Sequence, residues 1–304
     1  MNKELFDSIT STLSKKNKFI KPKWFYDNNG SKLFSKICKT KEYYPTRTEI
    51  KILKEFSKEI AFEVGEKAMI FEPGAGDSEK IEIIIKSLQN IKTYIPSDIS
   101  KIYLNTVSKK MKKKYPNLNI KPLAFDFTKN NSFVKEFKKR KKIVTFFPGS
   151  TIGNFTKIEA KPFLKKIKNY YNSKKLIVGV DLKKDKKILV KAYNGKITQI
   201  FNKNVLKRIN NELHANFEIS NFKHFARYNS KLSRIEMHLI SKKKQEVLIS
   251  KKKFYFKKGE KIHTENSYKY SVEEFKKLAK ESGWISSKVW TDKNKLFSVH
   301  LLLC

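Results

Sequence analysis

The stretch of the sequence that most directly indicates chemistry is MIFEPGAGDSEK, at residues 69–80. Three apolar residues lead into Glu72, and Gly74 and Gly76 follow one residue apart before a polar, helix-opening segment. Because glycine has no Cβ atom, a turn of this kind lets a ligand approach the backbone closely. The stretch therefore predicts a ligand-binding turn after the first strand of a parallel α/β sheet.

Two classes of cofactor could bind at such a turn. A dinucleotide-binding turn requires a third glycine where this sequence has Glu79, and a carboxylate there would face the pyrophosphate. The sequence thus argues against NAD. Asp98 and Asp126 each end a later predicted strand, where a carboxylate can accept ribose hydroxyl groups. The ordered set fits S-adenosyl-L-methionine, a nucleoside cofactor without phosphates, and its members are Glu72, Gly74, Gly76, Asp98 and Asp126.

The elements that must position these residues alternate along the first part of the chain. Short apolar runs bounded by turn signals predict strands at 68–73, 93–98, 119–126, 143–149 and 176–182. Helix-length segments separate several of them, at 78–88, 99–113 and 157–171. Strands that alternate with helices indicate an α/β fold with a parallel, doubly wound sheet.

The alternation ends after Leu182. Two helical segments and three strand-like runs follow, at 186–193, 204–213, 234–241, 246–250 and 253–256. A helix at 271–284 and a strand at 295–303 then complete the pattern. We therefore expect a second unit inserted between the fifth strand and the last helix.

The charge of the chain is strongly basic. The 304 residues include 68 Lys+Arg against 29 Asp+Glu, a net charge of +39, with lysine-rich clusters at 109–115 and 138–142. Such a balance can indicate a nucleic-acid partner. Arginine, whose planar fork is favoured at phosphate sites, is scarce, and the excess is nearly all lysine. We therefore expect a solvated lysine-rich surface without specific nucleic-acid binding, and RNA contact is the alternative.

Composition also limits the compartment and the metal chemistry. No window has the roughly 18 uninterrupted apolar residues of a membrane span, and the first residues lack the apolar core of a signal peptide. We therefore expect a cytoplasmic protein that does not bind membranes. Cys38 and Cys304 lie far apart without metal-ligand spacing, so the sequence predicts neither a disulfide framework nor a metal site.

Several longer motifs resemble those of a known family. They are FYDNNGSKLFSKICKTKEYYPTRTEIKIL (25–53), FFPGSTIGNF (146–155), FNKNVLKRINNEL (201–213), RIEMHL (234–239) and HTENS (263–267). In this order they resemble the histidine-specific methyltransferases of ergothioneine biosynthesis. The resemblance implies trimethylation of the α-amino group of L-histidine by S-adenosyl-L-methionine, which gives hercynine.

The resemblance also implies a two-domain organisation. A class I methyltransferase domain with a Rossmann-like, doubly wound sheet would comprise residues 48–183 and 272–304. A second, α+β domain would bind the substrate and comprise residues 1–47 and 184–271. The chain would act as a monomer.

Individual residues take roles from the matching motifs. The resemblance implies that five residues surround the cofactor, and they are Gly74, Lys80, Asp98, Asp126 and Phe127. Asp98 would bind the ribose hydroxyls, Asp126 the adenine amino group, and Phe127 the base. Together with Glu72 and Gly76 from the glycine turn, these residues form the predicted cofactor site.

Seven residues would serve the amino-acid substrate. Asn154 and Tyr193 would hold the α-carboxylate, and Tyr26 would lie near the amine, so that Tyr26 and Asn154 are the predicted catalytic residues. Glu265 and Ser267 would hydrogen-bond the imidazole ring. The two remaining residues are Tyr43, which would reach the ring through a water, and Met237, which would pack beside it.

Three other functions stay open on the sequence. A methyltransferase of the same family could act on another amino acid. An RNA methyltransferase would use the same cofactor turn, although a base-directed enzyme would be expected to carry an N/D-P-P-Y tetrapeptide, which is absent from the sequence. A non-enzymatic RNA-binding protein would explain the charge but not GSTIGN or the acids at the strand ends.

Overall fold

A computed structural model describes residues 2–88, 90–130 and 143–304 and divides the chain into two compact units. The large unit comprises Tyr44–Lys184 and Tyr268–Cys304, and the small unit comprises Met1–Tyr43 and Asp185–Ser267. Each unit is therefore built from two separate segments of the chain. The basic cluster at 138–142 lies outside the described residues.

The large unit is built on one sheet. Its strands are β1 (Met69–Pro73), β2 (Thr93–Asp98), β3 (Asn119–Ile120), β4 (Leu123–Ala124), β5 (Ile143–Phe147), β6 (Ser173–Asp181), β12 (Ile285–Thr291) and β13 (Phe297–Leu303). The order across the sheet is β12-β13-β6-β5-β1-β2-β3, with β4 also paired to β2. The pairs among β1 to β6 are parallel, whereas β13 runs antiparallel to β6 and β12.

Helices cover both faces of this sheet. They are α3 (Tyr44–Glu55), α4 (Ser57–Val64), α5 (Glu79–Ser87), α6 (Lys101–Lys114), α7 (Lys157–Asn169) and α10 (Val272–Glu281). Successive residues of a strand point to opposite faces. Phe71 and Phe147 pack with α7 and α10, while their neighbours Ile70 and Phe146 pack with α3 to α6. The predicted doubly wound α/β fold is confirmed.

The third predicted strand was wrong in its length. In place of one strand over 119–126, the structure has β3 and β4, separated by Lys121 and Pro122. Proline has no backbone N–H to donate to a neighbouring strand, so pairing stops at this point. Asp126 consequently lies two residues beyond β4 and does not end a long strand.

The small unit combines helices with antiparallel strands. Its helices are α1 (Lys3–Leu13), α2 (Asn28–Cys38), α8 (Lys186–Ala192) and α9 (Lys196–Leu213), and a 3₁₀ helix spans Pro22–Phe25. Its strands are β7 (Phe222–Asn229), β8 (Arg234–Ser241), β9 (Gln245–Ile249), β10 (Lys252–Phe256) and β11 (Lys261–Tyr268). One sheet has the order β11-β8-β7, and β9 and β10 form a separate antiparallel pair. Within the described part of the chain, no helix is both long and apolar enough to cross a membrane.

Candidate cofactor and substrate sites

The glycine turn after β1 is fixed to the end of β2. The amide groups of Gly74 and Ala75 both donate to the carbonyl of Ser97, at 2.7 and 2.9 Å. Gly74 and Gly76 have φ angles of +71° and +55°, a backbone region that favours glycine. A Cβ atom on Gly74 would lie 3.5 Å from the ring of Phe127. The turn thus brings together Gly74 and Phe127, two of the predicted cofactor residues.

Asp98 ends β2 beside this turn. Its carboxylate accepts the backbone N–H of Ser100 at 2.9 Å, and the amide of Gly76 also donates to it. Burial raises the pKa of Asp98, and the backbone donors from Ser100, Gly76 and Ile99 oppose that shift. The structure therefore joins the strand-end acid and the glycine turn by a direct hydrogen bond.

Asp126 and Phe127 follow β4 in a tight turn. The amide and the hydroxyl of Thr128 donate to Asp126 Oδ1, at 3.0 and 2.5 Å. The carbonyl of Phe127 accepts the hydroxyl of Tyr171 at 2.7 Å, and its ring packs against Phe147 with centroids 6.0 Å apart. The orientation of Phe127 is thus set by contacts on both its backbone and its ring.

Glu72 occupies a different environment from the other predicted cofactor residues. Its side chain is only 1% exposed, and it accepts the hydroxyl of Tyr94 at 2.5 Å. That hydroxyl is also 3.1 Å from Ser78 Oγ at the far end of the turn. Burial raises the pKa of Glu72 to about 8. Glu72 therefore braces the glycine turn from the interior through Tyr94 and Ser78.

The burial of Glu72 predicts a pH-dependent effect of Glu72→Gln, which keeps the shape of the side chain. The pKa of Glu72 is about 8 in the folded protein and 4.5 for an exposed glutamate. As pH rises, Glu72 therefore loses its proton at a lower pH in the unfolded chain than in the folded protein. The stability of the wild type falls as pH rises from about 4.5 to about 8. We expect the stability of the variant relative to wild type to increase over that window, by up to a few kcal/mol. Chemical unfolding at several pH values tests this, and a pH-independent difference would contradict it.

Lys80 lies in the first turn of α5, close after the glycine turn. Its ammonium group is 2.7 Å from Oε2 of Glu49 in α3. Asn154 lies in a 3₁₀ turn, Thr151–Asn154, which follows β5. A Cβ atom on Gly153, the second glycine of GSTIGN, would lie 2.8 Å from the backbone carbonyl oxygen of Tyr268. The chain is therefore closely packed at this glycine. Lys80 and Asn154 are thus carried by the segments that follow β1 and β5.

The small unit brings most of its predicted substrate residues together. Tyr43 is buried, and its ring centroid is 5.8 Å from that of Tyr193. The hydroxyl of Tyr193 is 2.8 Å from Ser267 Oγ. Burial raises the pKa of Tyr43 well above its usual value, and Tyr193, Glu265 and Tyr26 raise it further by charge repulsion. Five predicted residues therefore share one polar, largely buried region.

Tyr26 and Met237 stand at the limits of this group. The ring of Tyr26 packs edge-on against Phe34 and Phe201, with centroids 5.7 and 5.6 Å apart. Met237 is a buried residue of β8, the strand that neighbours β11, which carries Glu265 and Ser267. The aromatic packing orients Tyr26, whereas Met237 is placed by its pairing with Ala226 of β7 and by the neighbouring strand β11.

Glu49 and Asp181 are among the buried acids of the large unit that sequence reasoning missed. Asp181 ends β6 and is fully buried. Its carboxylate accepts the hydroxyl of Tyr44 at 2.7 Å, Lys184 Nζ at 2.5 Å and Lys269 Nζ at 2.6 Å. Although burial raises the pKa of Asp181, the two ammonium groups hold it below its ordinary value. Its place at a strand end, like that of Asp98, is the signal that could have identified it.

The fold defines the class of the protein. A solved structure from Nostoc punctiforme, described as a candidate O-methyltransferase, matches with a TM-score of 0.51 at 11% identity and covers 99% of this chain and 68% of that chain. The chain has the class I fold of methyltransferases that use S-adenosylmethionine. It belongs to the family described as "Histidine-specific methyltransferase, SAM-dependent", whose model matches residues 5–304.

Two curated relatives are similar over nearly their whole length. A histidine N-alpha-methyltransferase of Mycolicibacterium smegmatis is 34% identical over 292 residues, 93% of this chain and 90% of the relative. The enzyme of the same name from Mycobacterium tuberculosis is 34% identical over 301 residues, 96% of this chain and 92% of the relative. The resemblance inferred from the motifs is confirmed, and so is S-adenosyl-L-methionine as the cofactor.

Proposed function

We propose that the protein trimethylates the α-amino group of L-histidine to give hercynine. The observation that carries the proposal is the group formed by Tyr43, Tyr193, Ser267 and Glu265 in a chain that belongs to the histidine-specific family. An imidazole ring needs one acceptor and one further polar group within a pocket. In this group the Glu265 carboxylate provides the acceptor, and the hydroxyl groups of Tyr193 and Ser267 provide the further polar group.

The cofactor is assigned to the glycine turn and the acids around it. The residues fit it, because the glycines leave the turn open and Asp98 presents a carboxylate for ribose hydroxyl groups. In this proposal Asp126 and Phe127 hold the adenine. The rest of the cofactor site is lined by Gly74, Gly76 and Lys80, and Glu72 supports the glycine turn from the interior. When bound, S-adenosyl-L-methionine supplies a methyl group on a positively charged sulfur.

For the substrate, each side chain has a defined task. Glu265 accepts the ring N–H of histidine, and Ser267 serves the other ring nitrogen as donor or acceptor. Tyr193 and Asn154 hold the α-carboxylate. Tyr43 contacts the ring through water, and Met237 packs beside it. This proposal gives residues 1–47 and 184–271 the role of substrate-binding domain.

The remaining requirement is a neutral, oriented amine. An α-amino group titrates near or above pH 8, so a useful fraction is unprotonated at that pH, and positioning supplies most of the acceleration. Tyr26 orients the amine and passes its proton outward, with Asn154 fixing the same end of the amino acid. We expect Tyr26→Phe to slow all three methylation steps, measured separately by mass spectrometry. Unchanged rates for all three steps would exclude this role.

Asp98 is the residue with which we test the cofactor site. We expect Asp98→Ala to weaken cofactor binding by about 2–4 kcal/mol, because it removes a charged acceptor from a partly buried position. Calorimetric titration measures the loss, and circular dichroism checks that the variant is folded. The matched control Asp292→Ala changes another aspartate of the large unit that accepts backbone N–H groups. Wild-type affinity in folded Asp98→Ala would remove Asp98 from the site.

Action on another amino acid or on RNA is the alternative to be tested. Helix α6 carries the lysines of the cluster at 109–115; they are exposed whereas Met111 is buried, which is the pattern of a solvated helix face. Incubation with labelled S-adenosylmethionine and either free amino acids or transfer RNA distinguishes these functions. We expect label in the amino-acid fraction, and label in RNA would contradict the proposal. We further propose a cytoplasmic monomer without specific nucleic-acid binding.

A further inference from the structure

A second buried carboxylate, Glu49, lies beside the predicted cofactor residues without having a role in the proposed function. Glu49 belongs to α3 and is 1% exposed. Its two oxygens are 3.0 and 2.9 Å from the backbone nitrogen of Gly149, which donates to them. Oε2 is also 2.7 Å from Lys80 Nζ. One carboxylate therefore holds both the first turn of α5 and the segment that follows β5.

Two glycines make room for this carboxylate. A Cβ atom at Gly179 in β6 would lie 2.0 Å from Glu49 Oε1, which is closer than real Cβ contacts. A Cβ atom at Gly149, whose φ is +80°, would lie 3.1 Å from Lys80 Nζ. A larger residue at Gly179 would displace the carboxylate, whereas at Gly149 the ammonium group would have to move only slightly. The position of Glu49 thus depends on glycine at residue 179, whereas at residue 149 the positive φ angle favours glycine.

The charges explain why the pair keeps this geometry. A buried carboxylate is costly unless it is paired and hydrogen-bonded, and Glu49 has both an ammonium group and an amide donor. The Lys80 side chain is 16% exposed, so its ammonium is not enclosed as completely as Glu49. Without Glu49, the flexible four-carbon side chain of Lys80 would gain freedom to turn toward solvent.

We propose that Glu49 is a positioning residue that holds Lys80 at the carboxyl ends of β1 and β5, ready to donate to the carboxylate of the cofactor's methionine portion. The proposal rests on the cofactor role proposed for Lys80. It assigns to Lys80 a specific chemical partner, a carboxylate, and to Glu49 the task of ordering the ammonium before the cofactor binds. Ordering in advance lowers the entropy cost of binding.

The test measures cofactor binding without turnover, by calorimetric titration of S-adenosylhomocysteine into four proteins. They are wild type, Glu49→Gln, Lys80→Met and the double variant. We expect each single substitution to weaken binding about 10- to 100-fold, the range for a hydrogen bond to a charged group. Because Glu49 acts through Lys80, the double variant should bind no more weakly than Lys80→Met alone. Additive losses, or tighter binding by Glu49→Gln, would overturn the proposal.

Two controls keep the outcome decisive. Glu59→Gln removes an acid of α4 that also pairs with a lysine at 2.7 Å in the same unit, and it should leave binding unchanged. If Glu49→Gln does not fold, the double variant, which carries neither charge, is compared directly with Lys80→Met, and unequal affinities refute the coupling. Wild-type affinity in Lys80→Met would instead refute the proposed role of Lys80, while labelled methyl transfer to histidine would still support the proposed function.

Discussion

Asp181→Asn is expected to lower the free energy of unfolding by about 3–5 kcal/mol, because it leaves two buried ammonium groups without their anion. Lys184 and Lys269 are 6% and 0% exposed in their side chains and both contact the Asp181 carboxylate. Asparagine keeps the size of the side chain and one acceptor oxygen, but its NH2 group replaces the other oxygen, so the loss includes the acceptor of one lysine as well as the charge. Urea unfolding followed by circular dichroism measures it.

An exposed ion pair of the large unit provides the matched control for this prediction. Glu281 lies 3.3 Å from Lys161, and both side chains are more than a third exposed. Glu281→Gln should therefore change the stability by less than about 1 kcal/mol. Equal small losses in Asp181→Asn and Glu281→Gln would show that the buried cluster does not stabilise the fold as described.

Glu265→Ala is expected to reduce kcat/KM for histidine about 10- to 150-fold, mainly through KM, with cofactor affinity unchanged. The carboxylate is the acceptor proposed for the ring N–H, and a site that hydrogen-bonds its substrate strongly rejects analogues that cannot reciprocate. The variant should therefore also discriminate less against phenylalanine and leucine. Steady-state kinetics with each amino acid gives both quantities.

The matched control for Glu265 is Glu260→Gln. Glu260 is another glutamate of the small unit, and it pairs with Lys18 at 2.5 Å. Its loss should leave the selectivity for histidine intact. If Glu265→Ala keeps the full selectivity of wild type, Glu265 does not bind the imidazole, although the protein could still methylate histidine through other contacts.

Local sequence patterns predicted the central strands well because parallel strands are buried on both faces. β1 and β5 are apolar along nearly their whole length and are bounded by turn residues. By contrast, β11 (KIHTENSY) and β12 (ISSKVWT) are among the strands that were missed. Both contain many polar residues and β12 is at the edge of its sheet, so neither has the continuous apolar run by which a buried strand is recognised.

The orientation of Glu72 could have been predicted from strand geometry. Residues two apart in a strand share a face, so Glu72 lies on the face of Ile70, which packs against helices. The sequence-based interpretation placed Glu72 among the cofactor residues because of its distance from the glycines along the chain. Because helices cover both faces of the sheet, every side chain within β1 is expected to be buried, which agrees with the contact of Glu72 to Tyr94.

The two missed acids show what sequence patterns cannot supply. Glu49 contacts a residue 100 positions away, and Asp181 contacts Lys269, 88 positions away. Nothing local distinguishes Glu49 from a solvated acid, since only the packing of distant segments buries it. The strand end marks Asp181, but no local pattern shows that Lys269 pairs with it. The glycine turn and Asp98, on the other hand, were predictable because parallel strands end at the same edge of the sheet.

The most direct test of the proposed function is a competition among amino acids. Wild-type protein is incubated with S-adenosylmethionine and an equimolar mixture of histidine, tryptophan, phenylalanine and leucine, and the products are followed by mass spectrometry over time. We predict that histidine is consumed first and passes through mono- and dimethyl forms to a product with three methyl groups on its α-nitrogen. Preferential methylation of any other amino acid, or methylation of histidine on its ring, would contradict the proposal.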